Sequence, residues 1–278
     1  MNKSIGFFIL LIAFYGGHCL AKQTCSTGIM CVETVQANKQ VKVWVQNKTY
    51  APLTVYLKFT LTNVIIEQLQ PLNSTYQGNS KTLAFRLKVK DSKKKWRWSY
   101  KYYYQRGALN IQHDNDHVYR LPFATNAAFR LTQGFNGRSS HYADNQYGVD
   151  FSMPQGTLIH AARQGTVVGV KQDSNKGGAN KKFRNDGNYI AIRHADGSLG
   201  EYFHLKYQGA LVKHGQFVKR GQAIALSGNT GWSSNPHLHF SVHSAISGQK
   251  RVSHPVKFAT DYGVINALKA GKTYRATK

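Results

Sequence analysis

The chain is poor in acidic residues. Its 278 residues include 12 Asp and Glu against 37 Lys and Arg, which gives a formal net charge of +25 at pH 7. This imbalance favours an anionic partner such as nucleic acid, a membrane surface or an acidic polymer, although solubility alone explains the charge as simply. Hydrophobic residues make up 41% of the chain, which is enough for a buried core, and the length is comfortable for two domains.

Long hydrophobic runs are absent apart from one near the N-terminus, at residues 5–15. The sequence CLA at 19–21 then places small residues before a possible cleavage site, so we predict a secretory signal peptide over 1–21, cleaved after Ala21. An uncleaved anchor is a minor alternative because the run is short for a bilayer span. A lipoprotein is another, although a histidine precedes Cys19. We expect export to the periplasm or the extracellular space, with no stable membrane insertion after cleavage.

Cysteine is scarce, with three residues in the whole chain. Signal cleavage would remove Cys19 and leave Cys25 and Cys31 near the mature N-terminus. In an oxidising compartment this pair predicts one small disulfide loop, with two free thiols as the alternative. Export also argues against nucleic acid as the partner and leaves the bacterial wall and surface polysaccharides as anionic polymers.

Residues 22–123 are predicted to form an N-terminal antiparallel β-sandwich-like domain. Alternation of apolar and polar residues runs through 53–62, 83–89 and 96–104, and a period of two marks half-buried strands. The basic run 90–95 is interpreted as a solvated hairpin turn. The apolar faces are Leu53, Val55, Leu57, Phe59 and Leu61; Leu83, Phe85, Leu87 and Val89; and Trp96, Trp98, Tyr100, Tyr102 and Tyr104. We favour a core role for the aromatic row over a sugar-binding platform.

A second domain is predicted over 124–258, followed by a tail at 259–278. Glycines become frequent there, and short runs rich in Val and Ile, such as GTVVGV, NYIAIRH and QAIALSG, predict short strands closed by turns. A helical pattern occurs only in VINALKA, near the end of the chain. The sequence shows no internal repeat, so we expect two mainly β domains.

The segment NPHLHF, residues 235–240, places two histidines on either side of a leucine. Residues two apart in a strand point to the same face, so His237 and His239 would enter one site while Leu238 enters the core. Two histidines alone make an incomplete zinc site, since a catalytic zinc ion takes three protein ligands and a water molecule. Upstream, His141 and Asp150 flank the segment YADNQYGV, and each of these residues taken alone is as well explained by a surface or core role.

Several motifs occur together in one order between residues 141 and 240. They are SH…YGVDFSMPQGT, AARQGTVVGV, NYIAIRHADGSLGEYFHL, VKRGQAIALSGNTG and SSNPHLHF. Together they resemble the M23 family of zinc metallopeptidases, the lysostaphin-like or LytM-type cell-wall endopeptidases. The resemblance implies an antiparallel β-sheet peptidase domain and does not extend to residues 22–125.

The resemblance also implies roles for five residues. His141, Asp150 and His239 would bind Zn²⁺, and His204 and His237 would hydrogen-bond the bound water and the developing oxyanion. Which of the two histidines accepts the proton of the water stays open. The chain has no H-E-x-x-H motif, so the helical zincin arrangement is excluded.

The sequence departs from many family members in one spacing. His141 and Asp150 are nine residues apart, where many members have four, so Asp144 is a rival ligand. We prefer Asp150 because it stands in GVDF, and because a buried Asp150 without a partner would be costly. His243 is a second rival, four residues beyond His239 and too far along the strand to chelate beside it. Turn or surface positions are expected for His160, His194 and His214.

The resemblance predicts a secreted zinc endopeptidase whose partner is peptidoglycan. The bound water would be activated by the metal, and the cleaved bond would be a peptide crosslink or a stem peptide, with D-alanyl crosslinks favoured over glycyl-glycine bridges. Two alternatives stay open: a non-catalytic LytM-type activator of wall amidases, and a bacteriolytic protease or toxin that acts on other cells. A module that only binds polyanions would need no zinc.

Overall fold

The computed structural model describes residues 8–9, 20–26 and 28–278. Most of the predicted signal peptide therefore lies outside the described residues. The chain divides into two compact units. The larger unit comprises Ile111–Ser244 and Val252–Lys278, and the smaller unit ends at Asn110 and takes in Ala245–Arg251 as well. The division thus falls before the predicted boundary at 123/124, and the predicted tail belongs to the larger unit.

The smaller unit is built from two antiparallel sheets. One sheet has the strand order β2-β3-β4-β8-β6 and the other has the order β1-β9-β5-β7. The strands are β1 (Phe8–Ile9), β2 (Leu20–Ser26), β3 (Met30–Ala37), β4 (Gln40–Asn47), β5 (Leu53–Thr62), β6 (Val64–Gln68), β7 (Asn73–Tyr76), β8 (Ser80–Val89) and β9 (Arg97–Arg106). Cys25 and Cys31 face each other across the β2–β3 ladder and form a disulfide.

The alternating residues of β5 and β9 form the core between these sheets, as the pattern predicts. The two strands pair antiparallel over their full length, with Leu57 opposite Tyr102. The buried apolar and aromatic side chains of the two strands are Leu53, Val55, Leu57, Trp98, Tyr100, Tyr102 and Tyr104, while Phe59, Leu61 and Trp96 pack against them from half-buried positions. The aromatic row is therefore core.

Two details differ from the prediction, one within β8 and one directly after it. Ala84 is an extra residue in the ladder with β4, which pairs Val43 with Phe85 but Trp44 with Leu83. This bulge breaks the alternation, so Leu83 is half-buried outside the main core cluster while Ala84 is buried. The run 90–95 is not a hairpin turn, because β8 and the following β9 belong to different sheets.

The larger unit is organised around a nine-stranded sheet with the order β19-β14-β16-β17-β22-β12-β11-β26, with β23 alongside β22. The strands of the larger unit, inside and outside this sheet, are β10 (Val118–Arg120), β11 (Ala128–Gln133), β12 (Val149–Ser152), β13 (Leu158–His160), β14 (Gly165–Lys171), β15 (Gly177–Gly178), β16 (Tyr189–Arg193), β17 (Leu199–Phe203), β18 (Leu205–Ala210), β19 (Phe217–Val218), β20 (Ala223–Ser227), β21 (Gly231–Trp232), β22 (His237–Ala245), β23 (Arg251–Ser253), β24 (Lys257–Thr260), β25 (Gly263–Ile265) and β26 (Thr273–Arg275). Short 3₁₀ turns cover Ala143–Asn145 and Lys181–Asp186.

The mainly β, antiparallel fold class is confirmed. The three predicted short strands correspond to β14, β16 and β20. The helix expected at VINALKA is wrong, because its first residues belong to β25, which pairs antiparallel with β24. None of the helical segments in the described part of the chain is long and apolar enough to span a membrane.

The centre of the large sheet positions the candidate site. Strand β22 lies between β17 and β12, with Phe203 and Asp150 on either side of His239 in the two ladders. The intervening residues Leu238 and Phe240 are fully buried in the core. The alternation of β22 therefore directs its histidines to the face opposite the core.

Candidate metal centre

Asp150 and His239 are brought together by strand pairing. They are directly opposed in the β12–β22 ladder, and the Oδ1 atom of Asp150 lies 2.7 Å from the Nδ1 atom of His239. His141 comes from the loop before β12, and its Nε2 atom lies 3.2 Å from each of these two atoms. All three side chains are buried.

This donor set fits a zinc ion. Two imidazole nitrogens and one carboxylate oxygen are common zinc ligands, with metal–ligand distances of about 2.0–2.1 Å, which separates tetrahedral ligand atoms by about 3.3 Å. The three separations in the structure are 2.7 and, twice, 3.2 Å. No other group of three or more His, Cys, Asp or Glu residues with this proximity occurs among the residues that the structure describes.

The outer atoms of His141 and Asp150 are already hydrogen-bonded. Nδ1 of His141 lies 2.7 Å from the carbonyl oxygen of Gly134, so this nitrogen donates its hydrogen there. In the neutral ring Nε2 then carries a lone pair that faces the site. The other carboxylate oxygen of Asp150, Oδ2, accepts a hydrogen bond of 2.8 Å from Nε2 of Gln133.

His239 is held in the same way on its outer side. Its Nε2 atom lies 3.2 Å from Oδ1 of Asn145 and 3.2 Å from Oγ of Ser241. With the hydrogen on Nε2, Nδ1 carries a lone pair that faces His141 and Asp150. Three lone-pair atoms thus converge, an arrangement that repels itself unless a cation or a shared proton lies between them.

The pKa values reflect this convergence. Burial raises the pKa of Asp150, but when a proton rather than a cation lies among the three inner atoms, hydrogen bonds and charge from His141 and His239 outweigh burial and hold the pKa well below its usual range. Burial lowers the pKa of His141, but Asp150 more than compensates and the net pKa is raised. Burial also lowers the pKa of His239, and there Asp150 offsets only part of the effect. The carboxylate therefore stays charged and attracts a cation.

His204 and His237 lie beside this cluster, with ring centroids 4.5 Å apart. Nδ1 of His204 donates to the carbonyl oxygen of Thr230 at 2.8 Å, and Nδ1 of His237 donates to that of Asn235 at 2.8 Å. Each neutral ring therefore keeps Nε2 as an acceptor. Nε2 of His237 is 4.0 Å from Oδ1 of Asp150.

His204 has an unusual backbone conformation. It connects β17 to β18 with a φ of +64°, in the left-handed region that residues other than glycine rarely adopt. Such outliers persist where the surrounding structure fixes them, and they are common at functional sites. Burial, together with the neighbouring His237 and His239, lowers the pKa of His204 to about 3. The ring is therefore neutral at pH 7.

Gly148 is a constraint on the site that the sequence did not reveal. A Cβ atom at this position would lie 2.6 Å from Cε1 of His239 and 3.0 Å from Nε2 of His141. Only glycine leaves room for both rings. The residue stands in the motif YGVDF, and its proximity to His239 follows from the β12–β22 pairing.

The five residues implied by the family resemblance thus lie in one site, whereas the rival residues lie elsewhere. The backbone carbonyl of Asp144 accepts from Nε2 of His243 at 3.0 Å, and neither residue belongs to the three-ligand group. His214 is exposed and His160 is half-buried. His194 begins the turn that ends at Gly197, as expected, but its ring is not at the surface: it is 3% exposed and its Nδ1 donates to the carbonyl oxygen of Gln164.

Sequence reasoning also missed the residues that bond the outer atoms of the site. They are Gln133, Asn145, Ser233 and Ser241. Ser241 could have been found, because it is two residues after His239 on the same strand face. The others reach the site through loops or bulged strands, for which no spacing rule exists.

Comparisons with known proteins find similarity over part of the chain. The family model described as Peptidase family M23 matches residues 144–255. A Haemophilus influenzae protein named "Uncharacterized metalloprotease" is 42% identical over 118 residues, which cover 41% of this chain and 22% of that protein. Peptidoglycan DD-endopeptidase ShyA of Vibrio cholerae is 35% identical over 122 residues, which cover 42% of this chain and 26% of that protein.

Among solved structures, the catalytic domain of the antimicrobial peptidase lysostaphin from Staphylococcus simulans is 29% identical. The alignment covers 46% of this chain and 87% of that domain, with a TM-score of 0.33. The two sequence relatives are much longer than the matched segment, since it spans about a quarter of each of them. The similarity therefore concerns only a part of each of these relatives.

Proposed function

We propose that the protein is an exported zinc-dependent endopeptidase of bacterial peptidoglycan. It would cleave peptide crosslinks or stem peptides. The premise is the match of residues 144–255 to peptidase family M23. The observation that carries this proposal is the convergence of His141, Asp150 and His239, whose inner atoms lie within 3.2 Å of one another. Their outer atoms are hydrogen-bonded elsewhere, which leaves three donors for one cation.

Zinc is the metal that these ligands would hold. A bound zinc ion would supply a water molecule of lowered pKa and would polarise the scissile carbonyl group. Three protein ligands are the number expected of a catalytic site, which keeps one position for solvent or substrate. His141, Asp150 and His239 would contribute one atom each, with the tautomers of both rings already set by their outer hydrogen bonds.

His204 and His237 would carry out the proton transfers. Their Nδ1 atoms donate to backbone carbonyls, so Nε2 of each can accept a proton from the attacking water, and a ring that has taken up this proton can donate it from Nε2 to the oxyanion. The pKa of His204, lowered to about 3, keeps its ring neutral at pH 7, so Nε2 retains its lone pair. A ring that takes up a proton there could later donate it to the leaving amine. The order in which the two rings act is left to experiment.

Peptidoglycan as the substrate is supported by the relatives and by the charge. ShyA is named a peptidoglycan DD-endopeptidase, and bacterial walls carry many carboxylates or phosphates that a chain of net charge +25 would attract. We retain the expectation of D-alanyl crosslinks over glycyl-glycine bridges, and the fragments released from sacculi distinguish the two. We propose the N-terminal domain of residues 22–123 as an accessory module and the signal peptide 1–21 as the export signal.

Purified wall sacculi provide the direct test. We expect the chain to release soluble fragments, to lose this activity with a chelator, and to regain it on addition of Zn²⁺. Mass analysis of the fragments identifies the cleaved bond. Release that is insensitive to chelator would contradict the metal mechanism. Absence of release from walls of every type would instead favour the non-catalytic activator of amidases, and cleavage confined to walls of other species would favour the bacteriolytic alternative.

A further inference from the structure

The outer nitrogen of His239 has two partners that the proposed reaction does not use. Nε2 lies 3.2 Å from Oδ1 of Asn145 and 3.2 Å from Oγ of Ser241. Because Oδ1 of an asparagine amide is only an acceptor, it bonds the ring only when the hydrogen resides on Nε2. Asn145 therefore selects the tautomer in which Nδ1 has its lone pair toward Asp150.

Asn145 belongs to the segment that lengthens the spacing between His141 and Asp150. Its backbone nitrogen donates to the carbonyl oxygen of Tyr142 within the 3₁₀ turn, and its side-chain amide nitrogen lies 3.4 Å from the carbonyl oxygen of Ser140. These bonds orient the Asn145 amide so that Oδ1 is directed at His239. A second bond connects the same segment to β22, because Nε2 of His243 donates to the carbonyl oxygen of Asp144.

Ser241 continues the network into the interior. Its Oγ atom lies 3.4 Å from Nδ1 of His243, and that nitrogen lies 3.5 Å from Oε2 of Glu201. Glu201 and Ser241 are directly opposed in the β17–β22 ladder. Ser241 and His243 are each 1% exposed and Glu201 is 5% exposed. Buried polar groups of this kind are costly unless they are bonded, so the network holds Ser241 against His239.

We propose that Asn145 and Ser241 are positioning residues, which fix the tautomer and ring orientation of His239 so that Nδ1 is presented to the metal. The His243–Glu201 pair supports Ser241 from behind. This inference rests on the proposed zinc site and extends it to a second layer of residues. Outer partners of metal-binding histidines typically change metal affinity or activity by about 10- to 100-fold.

Zinc affinity, measured on the purified chain by competition with a chromogenic chelator, tests the proposal without relying on activity. The variants are Asn145→Leu, which has similar volume and no acceptor, Ser241→Ala, and the double variant. Gln146→Leu is the control for the first, since its amide lies in the same segment and bonds Asn136. Ser244→Ala is the control for the second, since this buried serine on β22 bonds His254, which is not a ligand.

We expect each single variant to lower zinc affinity by about 10- to 100-fold, the double variant to lower it further, and both controls to match the wild-type chain. Asn145→Asp keeps an acceptor and should restore the affinity. In ¹⁵N-histidine NMR of the metal-free chain, the neutral ring of His239 should carry its proton on Nε2 in the wild type and should lose this preference in the double variant.

Three outcomes would overturn the inference: unchanged affinity in the folded double variant, an equal loss in the controls, or failure of Asn145→Asp to restore binding. Asn145 lies in a half-exposed turn, so its replacement leaves the core intact even if Ser241→Ala weakens folding. A wild-type chain that binds no zinc would defeat the proposed function and this inference with it. Wild-type binding with unaffected variants would defeat only the inference.

Discussion

Asp150 and His239 face each other across two neighbouring strands, and their side-chain atoms Oδ1 and Nδ1 are 2.7 Å apart. Neither residue is near the other in sequence, so the antiparallel register of β12 and β22 alone sets their separation. A shift of one residue in this register would turn one of the side chains into the core. The geometry of the ligands is therefore a property of the sheet, and His141 is added to it by a loop.

Replacement of the Asp150 carboxylate by an amide should abolish tight zinc binding. Asp150→Asn keeps the volume but removes the negative charge that faces His141 and His239, so we expect zinc affinity to fall by more than the roughly 100-fold that outer partners contribute. Chelator competition measures the affinity, and release of fragments from sacculi measures the activity. His214→Gln is the control, because His214 is an exposed histidine that bonds the backbone of Val170. Tight zinc binding by Asp150→Asn would contradict the ligand assignment.

A methyl group at position 148 should also damage the site. In Gly148→Ala the new Cβ would lie 2.6 Å from Cε1 of His239, and that ring cannot move without breaking its bonds to Asn145 and Ser241. We expect zinc affinity to fall at least about 10-fold and the free energy of unfolding to fall by about 1–3 kcal/mol.

Gly187→Ala is the matched control for this variant, since its added Cβ would make only ordinary contacts, the nearest at 3.7 Å. Zinc competition and urea unfolding in the presence of chelator measure the two effects separately. If both glycine variants bind zinc like the wild type, the rings of His141 and His239 have more freedom than the structure gives them.

The sequence predicted the strands better than their irregularities. Alternation identified the buried faces of β5 and β9 because both strands are regular and half-buried. It failed at Ala84, where a bulge shifts Leu83 out of the core, since a bulge adds a residue without any change in composition. It failed again at Val264, where apolar spacing suggested a helix but pairing with β24 imposes a strand. In both places tertiary contacts override a local pattern.

The ligand set followed from the family resemblance and not from spacing alone. His237 and His239 show the period of a strand, but spacing alone does not select Asp150 over Asp144, and the preference for Asp150 rests on its motif context GVDF and on the cost of burying an unpartnered carboxylate. The outer residues escaped prediction for a related reason, since Asn145 reaches His239 only because the 3₁₀ turn folds back toward β22. His194 stands at the turn that the motif HADGS indicates, but a turn residue can still direct its ring inward, as the 3% exposure of His194 shows.

Loss of the proton-transfer residues should spare the metal. We expect His204→Asn and His237→Asn to bind zinc like the wild type while kcat falls by about 10²- to 10⁴-fold, the usual contribution of general acid–base catalysis. Asparagine can still donate to the carbonyl oxygens of Thr230 and Asn235, and it tolerates the left-handed conformation at position 204. Fragment release per bound zinc measures the effect. Full activity in either variant would remove that residue from the mechanism.

The pH dependence of stability should reveal the buried ring of His194. Burial lowers its pKa to about 4, compared with about 6.5 in the unfolded chain. Because the unfolded state binds the proton more readily, the neutral ring contributes stability that is complete above about pH 6.5 and is lost as the pH falls toward 4. A shift of this size corresponds to about 3 kcal/mol of unfolding free energy, at 1.36 kcal/mol per pH unit.

His194→Asn isolates this contribution. The asparagine amide can still donate to the carbonyl oxygen of Gln164 but does not titrate. Between pH 6.5 and pH 4 the free energy of unfolding should therefore fall by about 3 kcal/mol less in the variant than in the wild type. Burial also lowers the pKa of His254 to about 4. This residue contributes the same pH dependence of the unfolding free energy to both proteins. Urea unfolding across this range, in the presence of chelator, measures the two curves. Parallel curves would mean that His194 is protonated in the folded state at a pH close to its unfolded pKa.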